Sequence, residues 1–209
     1  MDLSKLKEHI DKKMKRGYVS GKTLLDRMRV ITENSRLTSA YLDGRYAPFY
    51  YHLGTQIEPK TMMEIGFNLG LLSGCFLKSC KTVEDFLAFQ KQEEDVYYSP
   101  RLGRANIIDN YKGNIHIHIG DMMDEVFSQK MSPNKWDLII LNEETEYDQH
   151  RTILDLVWPH VSSDGCLVMD YVESHDGAKR AWDDFTSSVN CDSVVFNTRY
   201  GTGMVLNER

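Results

Sequence analysis

From residue 61 onward, short apolar segments of strand type alternate with segments of helical spacing, and the connections between them are short. Strands are predicted over Thr61–Ile65, Val83–Phe89, Asn114–Ile119, Trp136–Leu141, Cys166–Tyr171, Val194–Asn197 and Gly203–Asn207. Helices are predicted over Leu71–Cys80, Pro100–Tyr111, Met122–Lys130, Gln149–His160 and Gly177–Val189. The run Trp136-Asp137-Leu138-Ile139-Ile140-Leu141 is apolar almost throughout, the signature of a strand buried on both faces. This pattern demands an α/β sheet with helices on both sides. Sheets of this kind hold ligands at the carboxyl ends of their strands. The last two strands flank Arg199-Tyr200-Gly201-Thr202 and are expected to pair antiparallel.

The first 55 residues read differently. Residues 3–16 form a short basic helix, residues 22–34 return to helical spacing, and the aromatic run from Tyr46 to Leu53 opens a further helix with Pro48 in its first turn. The expected organisation is a helical N-terminal extension over 1–55 and an α/β core over 56–209. A formal net charge of −6 argues against a protein that wraps duplex nucleic acid. No apolar run approaches the length of a membrane span, and the N-terminus lacks the apolar stretch of a secretory signal. Cys75, Cys80, Cys166 and Cys191 form no CxxC pair. They are read as reduced structural thiols of a cytoplasmic protein.

The chemistry concentrates at the first strand-to-helix bend, Glu64-Ile65-Gly66-Phe67-Asn68-Leu69-Gly70. Glycines let a ligand approach the backbone, and the helix that follows presents free N–H groups. The glycine spacing is not that of a dinucleotide fingerprint, which disfavours a nicotinamide-dependent oxidoreductase. Glu64 ends an apolar strand, where a carboxylate needs hydrogen bonds. Either the bend's own N–H groups or a cationic part of a ligand would satisfy it.

This bend resembles motif I of class I S-adenosylmethionine-dependent methyltransferases, in the small-molecule branch that carries E-I-G-F-N-x-G. Gly120-Asp121, the run Trp136 to Asn142, and Asp164 to Tyr171 follow in the family's order, and Gly177 to Phe185 resembles a later helix of that branch. The resemblance covers roughly residues 45–209. It implies a Rossmann-like, seven-stranded, doubly wound sheet with its last strand antiparallel. It also implies S-adenosylmethionine as cofactor, S-adenosylhomocysteine as product, and a small-molecule acceptor. Glu64, Gly66, Asn68 and Gly70 match the positions beside the methionine part of the cofactor, and Asp121 the position beside the adenine.

The sequence also departs from the family. The place of the acidic residue that bonds the ribose hydroxyls falls on Gln90, which offers one acceptor oxygen and no charge. The fourth strand ends in Asn142 where the family has Asp. Metal-dependent relatives hold a cation with Asp there and Asp-Asn on the next strand; this chain has Asn142, then Met169 and Asp170, and no metal is expected. Asp170 and His150 are the candidate bases for a hydroxyl acceptor. Tyr46, Tyr50 and Tyr51 are candidates for lining an acceptor pocket. The expected activity is methyl transfer to a small molecule, without a membrane or nucleic-acid partner and with self-association left open. The alternative is a catalytically degenerate module that binds or assembles on the same fold.

Overall fold

The computed structural model describes residues 1–16, 46–90, 103–104, 107–108, 111–120, 135–143 and 145–208. Two helices lead: α1 (Leu3–Arg16) and α2 (Tyr46–Leu53). The alternating part follows as β1 (Thr61–Ile65), α3 (Leu71–Ser79), β2 (Asp85–Gln90), β3 (Asn114–Ile119), β4 (Trp136–Leu141) and α4 (Tyr147–Val157). A 3-10 turn (Trp158–His160), β5 (Val161–Asp170), α5 (Asp176–Val189), β6 (Ser193–Phe196) and β7 (Thr202–Leu206) complete it. The seven strands form one sheet in the order β3-β2-β1-β4-β5-β7-β6. β7 runs antiparallel to both β5 and β6, and the pairings among β1 to β5 are parallel. This is the Rossmann-like arrangement the sequence implied. The helices expected at 22–34 and 122–130, and most of that at 100–111, lie outside the described residues.

Side chains alternate across the pleat, so the register decides what each face buries. One face carries Met62, Phe86, Ala88, Leu138, Ile140, Cys166, Val168, Met204 and Phe196, packed beneath α1, α2 and α3. The opposite face carries Met63, Ile65, Leu87, Phe89, Ile139, Leu141, Leu167 and Met169 beneath α4 and α5. α2 belongs to the core: Tyr46, Phe49, Tyr50 and Leu53 are all buried. Tyr51 is only half-buried.

Four strands differ from the sequence expectation: β6 and β7 each lie one residue earlier, and β2 and β5 differ by more. The second begins at Asp85 rather than Val83 and takes in Gln90. The fifth begins at Val161, five residues earlier than expected. Ser162-Ser163-Asp164-Gly165 reads as a turn, but Val161 pairs with Trp136 and the register shifts before Leu138 pairs with Cys166. That irregularity absorbs the turn-like residues inside one strand, with Asp164 at φ 61. The same strand stops at Asp170 because Tyr171 turns the chain at φ 66. The fourth helix starts at Tyr147 and gives way to the 3-10 turn at Trp158, where Pro159 removes a donor.

A candidate cofactor site at the carboxyl ends of the strands

Register carries five polar side chains onto one face. Glu64 lies opposite Ile140, and Ile140 opposite Val168. Two residues further along each strand, the same parity brings Asn142 and Asp170 to that face. Asp170 pairs with Thr202 on β7, and Gln90 shares parity with Ala88, the partner of Glu64 on β2. Gln90, Glu64, Asn142, Asp170 and Thr202 thus form a buried polar row along the strand ends, above an otherwise apolar layer. This is the crevice where doubly wound sheets take their ligands.

Glu64 is fully buried, and its hydrogen bonds come from two directions. Ser73, in the first turn of α3, donates its hydroxyl to Oε2, and Asn142 Nδ2 lies 3.5 Å from Oε1. These side chains, rather than the N–H groups of the bend, are its partners. Burial pushes the carboxyl up to about 8, opposed by the Ser73 and Asn142 bonds and reinforced by the charge of Asp170. Asp170 accepts from Thr202 Oγ1 at 2.7 Å, and Thr202 in turn meets Thr198 Oγ1 at 2.9 Å. Burial pushes Asp170 up to about 7, while the Thr202 hydrogen bond and the nearby Tyr50 hydroxyl pull the other way. Among the described residues neither acid forms an ion pair; the four pairs present are all i,i+3 or i,i+4 pairs within other segments.

The bend itself is tightly stitched. Gly66, Asn68 and Gly70 all adopt positive φ, at 83, 47 and 65 degrees. Gly66 and Phe67 donate their N–H groups to Phe89 O. Asn68 N–H donates to Gln90 Oε1 at 2.5 Å, and Asn68 Nδ2 to Gly66 O at 3.0 Å. Asn142 Nδ2 also reaches Gly66 O at 3.0 Å. A Cβ on Gly66 would run into the Asn142 carbonyl oxygen and stand 2.7 Å from Glu143 Cγ. Glycine is therefore required here by the β4 loop that lies against it, whatever ligand approaches. A Cβ on Gly70 would come within 2.8 Å of the Phe67 ring and 2.9 Å of Gly103 O.

His150 stands apart from the row. It is buried on α4, and its Nε2–H donates to Glu143 O at 3.0 Å. Its ring faces His175 with centroids 6.5 Å apart. His175 donates from Nε2 to Thr145 O and accepts the Ala178 N–H at Nδ1, so it caps α5 as a neutral imidazole. These two rings hold the loop after β4. Met169 projects from the face opposite Asn142 and Asp170, so it cannot join them around an ion. Among the described residues no group of three or more His, Cys, Asp or Glu is placed to hold a metal. Asp121 lies outside the described residues.

Beside Asp170, Tyr46 and Tyr171 pack at 5.9 Å, and Tyr171 stacks on Tyr200 at 5.9 Å. The Tyr46 hydroxyl accepts the Tyr200 N–H at 3.2 Å, and burial together with Asp170 and Tyr171 pushes its pKa above the usual phenol value. Of the three tyrosines singled out from sequence, Tyr46 and Tyr50 thus reach the row. Sequence reasoning missed Ser73 and Thr202. Their only signals are a lone hydroxyl in the apolar helix Leu71-Leu72-Ser73-Gly74-Cys75-Phe76-Leu77 and one at the first position of the last strand.

The fold has known counterparts. An O-methyltransferase from Bacillus cereus, solved in complex with SAH, is 11% identical, with 95% of this chain and 97% of that chain covered at a TM-score of 0.68. The SAH-bound methyltransferase PaMTH1 of Podospora anserina is 11% identical over 98% and 96% of the two chains, at a TM-score of 0.65. The O-methyltransferase TomG of Streptomyces achromogenes, solved with SAM and involved in tomaymycin synthesis, is 12% identical over the whole of both chains, at a TM-score of 0.63. At such identities the likeness is one of fold. Among curated proteins none matches in sequence. The family model described as "Methyltransferase domain" matches residues 63–172, more than half of the chain, from within β1 to just past the end of β5. The chain therefore belongs to the class I S-adenosylmethionine-dependent methyltransferases.

Proposed function

We propose that this protein transfers the methyl group of S-adenosylmethionine to an oxygen of a small-molecule acceptor. The observation that carries the reading is the buried row Gln90–Glu64–Asn142–Asp170 at the carboxyl ends of the central strands, two of whose members are acids without a basic partner among the described residues. Such a row suits a ligand with a cationic centre, because a positive charge favours the ionised form of each acid. The oxygen preference follows the O-methyltransferases that share the fold.

The cofactor supplies a methyl group on a sulfonium, ready for displacement. In this reading Gly66, Asn68 and Gly70 cradle its methionine part, Glu64 and Asn142 complement its charge, and Gln90 offers an amide to the ribose. Asp121 is assigned to the adenine. Asp170 takes the proton of the acceptor hydroxyl, held in place by Thr202. His150 is a positioning residue here, acting through the Glu143 carbonyl on the loop that touches Gly66. Transfer of this kind rests on positioning more than on covalent help.

Titration calorimetry with S-adenosylmethionine and S-adenosylhomocysteine tests the reading. Saturable heat with both is expected; no heat and no thermal shift at millimolar ligand would sink it. One observation favours a second reading, a degenerate binding module: Gln90 and Asn142 already spend polar atoms on the bend itself, at Asn68 N and Gly66 O. That reading expects cofactor binding without turnover toward any hydroxylated acceptor.

A further inference from the structure

We propose that Glu64 and Asp170 act together as a proton reservoir. Binding of the sulfonium form of the cofactor would expel a proton from the pair, and the acceptor hydroxyl would return it during methyl transfer. The inference rests on the methyltransferase reading and specifies how that site handles charge.

The geometry comes first. Both acids project from the same face of the sheet, on β1 and β5, with Asn142, the residue after β4, between them. Both are essentially sealed from solvent, at 0% and 1% exposure. Among the described residues, the groups facing them are Ser73 from α3, Asn142 just after β4, Thr202 from β7, Tyr50 and Tyr46 from α2, and Tyr171 from the turn after β5. None of these is cationic. Two carboxylates in one apolar layer repel each other and lose hydration, so at neutral pH the empty pair holds at least one proton. The upward pKa shifts of both groups agree with this.

The charge balance closes without an outside partner. The sulfonium cofactor carries one more positive charge than its thioether product. On binding, that charge replaces the proton as the counterion of the pair. On transfer, the carbon–sulfur bond breaks with its electrons staying on sulfur, the carbon–oxygen bond forms, and the oxygen's proton passes to the pair. The neutral thioether then leaves a re-protonated site that no longer attracts it electrostatically.

Calorimetry of the whole protein in two buffers of different ionisation enthalpy, phosphate and Tris at pH 7, counts the protons. Comparing S-adenosylmethionine with S-adenosylhomocysteine cancels contributions from the amino acid part they share. The expected result is close to one more proton released with the sulfonium than with the thioether. Affinity for the sulfonium should tighten from pH 6 to 8, by up to about tenfold per pH unit, while affinity for the thioether stays level or falls. The double variant Glu64→Gln, Asp170→Asn should remove the difference in proton count. Equal proton counts for the two ligands in the unmodified protein would overturn the proposal while leaving the methyltransferase reading intact. No binding of either ligand would overturn both.

Discussion

Replacing Glu64 by Gln should make the protein more stable at alkaline pH and less stable at acid pH. In the folded state the Glu64 carboxyl is raised from 4.5 to about 8 by burial, whereas in the unfolded chain it titrates normally. Between those values the folded state holds the proton more tightly than the unfolded state. Stability from this group is therefore complete below the unfolded value and is lost as pH rises toward the folded one. Each pH unit is worth about 1.4 kcal/mol, so a rise of more than three units costs on the order of 4 kcal/mol by pH 8. That is a large fraction of a typical domain's net stability of about 5–15 kcal/mol. Gln cannot ionise and escapes this loss. It does weaken the local bonding, since only one of its two terminal atoms accepts, while both Ser73 and Asn142 donate to Glu64. The cost of that mismatch is about 1–2 kcal/mol at pH 5. Urea unfolding at pH 5, 6, 7 and 8 should show the two stability curves crossing. Parallel curves for the variant and the unmodified protein would refute the assignment of Glu64 as a buried, protonated acid.

Gly66→Ala should cost roughly 3 kcal/mol in unfolding free energy, because the new Cβ meets the Asn142 carbonyl at a positive φ; a melting temperature equal to that of the unmodified protein would contradict the β4 loop contact. A larger side chain such as Val would therefore disturb the fold as well as the site. Gln90→Glu should keep the bond to Asn68 N–H and, ionising only when a cationic cofactor occupies the row, tighten cofactor binding, read by titration calorimetry. Gln90→Asp is one methylene shorter and should lose that bond with about 1–3 kcal/mol of stability, read by the same unfolding series; greater stability for Asp than for Glu would show that the side chain points elsewhere. Cys75, Cys80 and Cys166 are buried, and burial pushes the thiols of Cys75 and Cys166 up to about 12, so native-state labelling with a thiol reagent should modify Cys191 first. Labelling of Cys166 ahead of Cys191 would contradict the sheet assignment of β5.

The sheet was legible because its strands advertise themselves. Trp136 to Leu141 admits no amphipathic reading, and Asn-Ile-His-Ile-His-Ile keeps strict period two. β5 was harder, since Ser162 to Gly165 carries turn composition, and only pairing with β4 and a register irregularity makes it strand. The row was legible in part. Glu64, Asn142 and Asp170 each stand at or near the end of an apolar run, which places them at strand ends, but only the register between strands puts them on one side. Their partners were not legible, because Ser73 and Thr202 come from α3 and β7, and only tertiary packing brings those hydroxyls over the acids. His150 shows the converse: a histidine near an acidic run reads as a base, yet its ring is occupied with a backbone carbonyl.

The two departures from the family pattern have a common physical sense. Had Gln90 and Asn142 been acids, the row would have gathered four carboxyls in one apolar layer, with no basic side chain paired to them among the described residues. Each further buried charge adds desolvation and repulsion, and the layer would carry protons rather than charge. As amides, the two residues donate as well as accept. Asn142 gives its N–H to Gly66 O and toward Glu64, and Gln90 takes the Asn68 N–H, so the bend is stitched without added charge. The departures thus leave two carboxyls in the row, Glu64 and Asp170. If so, Asn142→Asp should raise the number of protons the empty site holds, and a calorimetric proton count on cofactor binding that stays unchanged in that variant would show that position 142 is electrostatically separate from the pair.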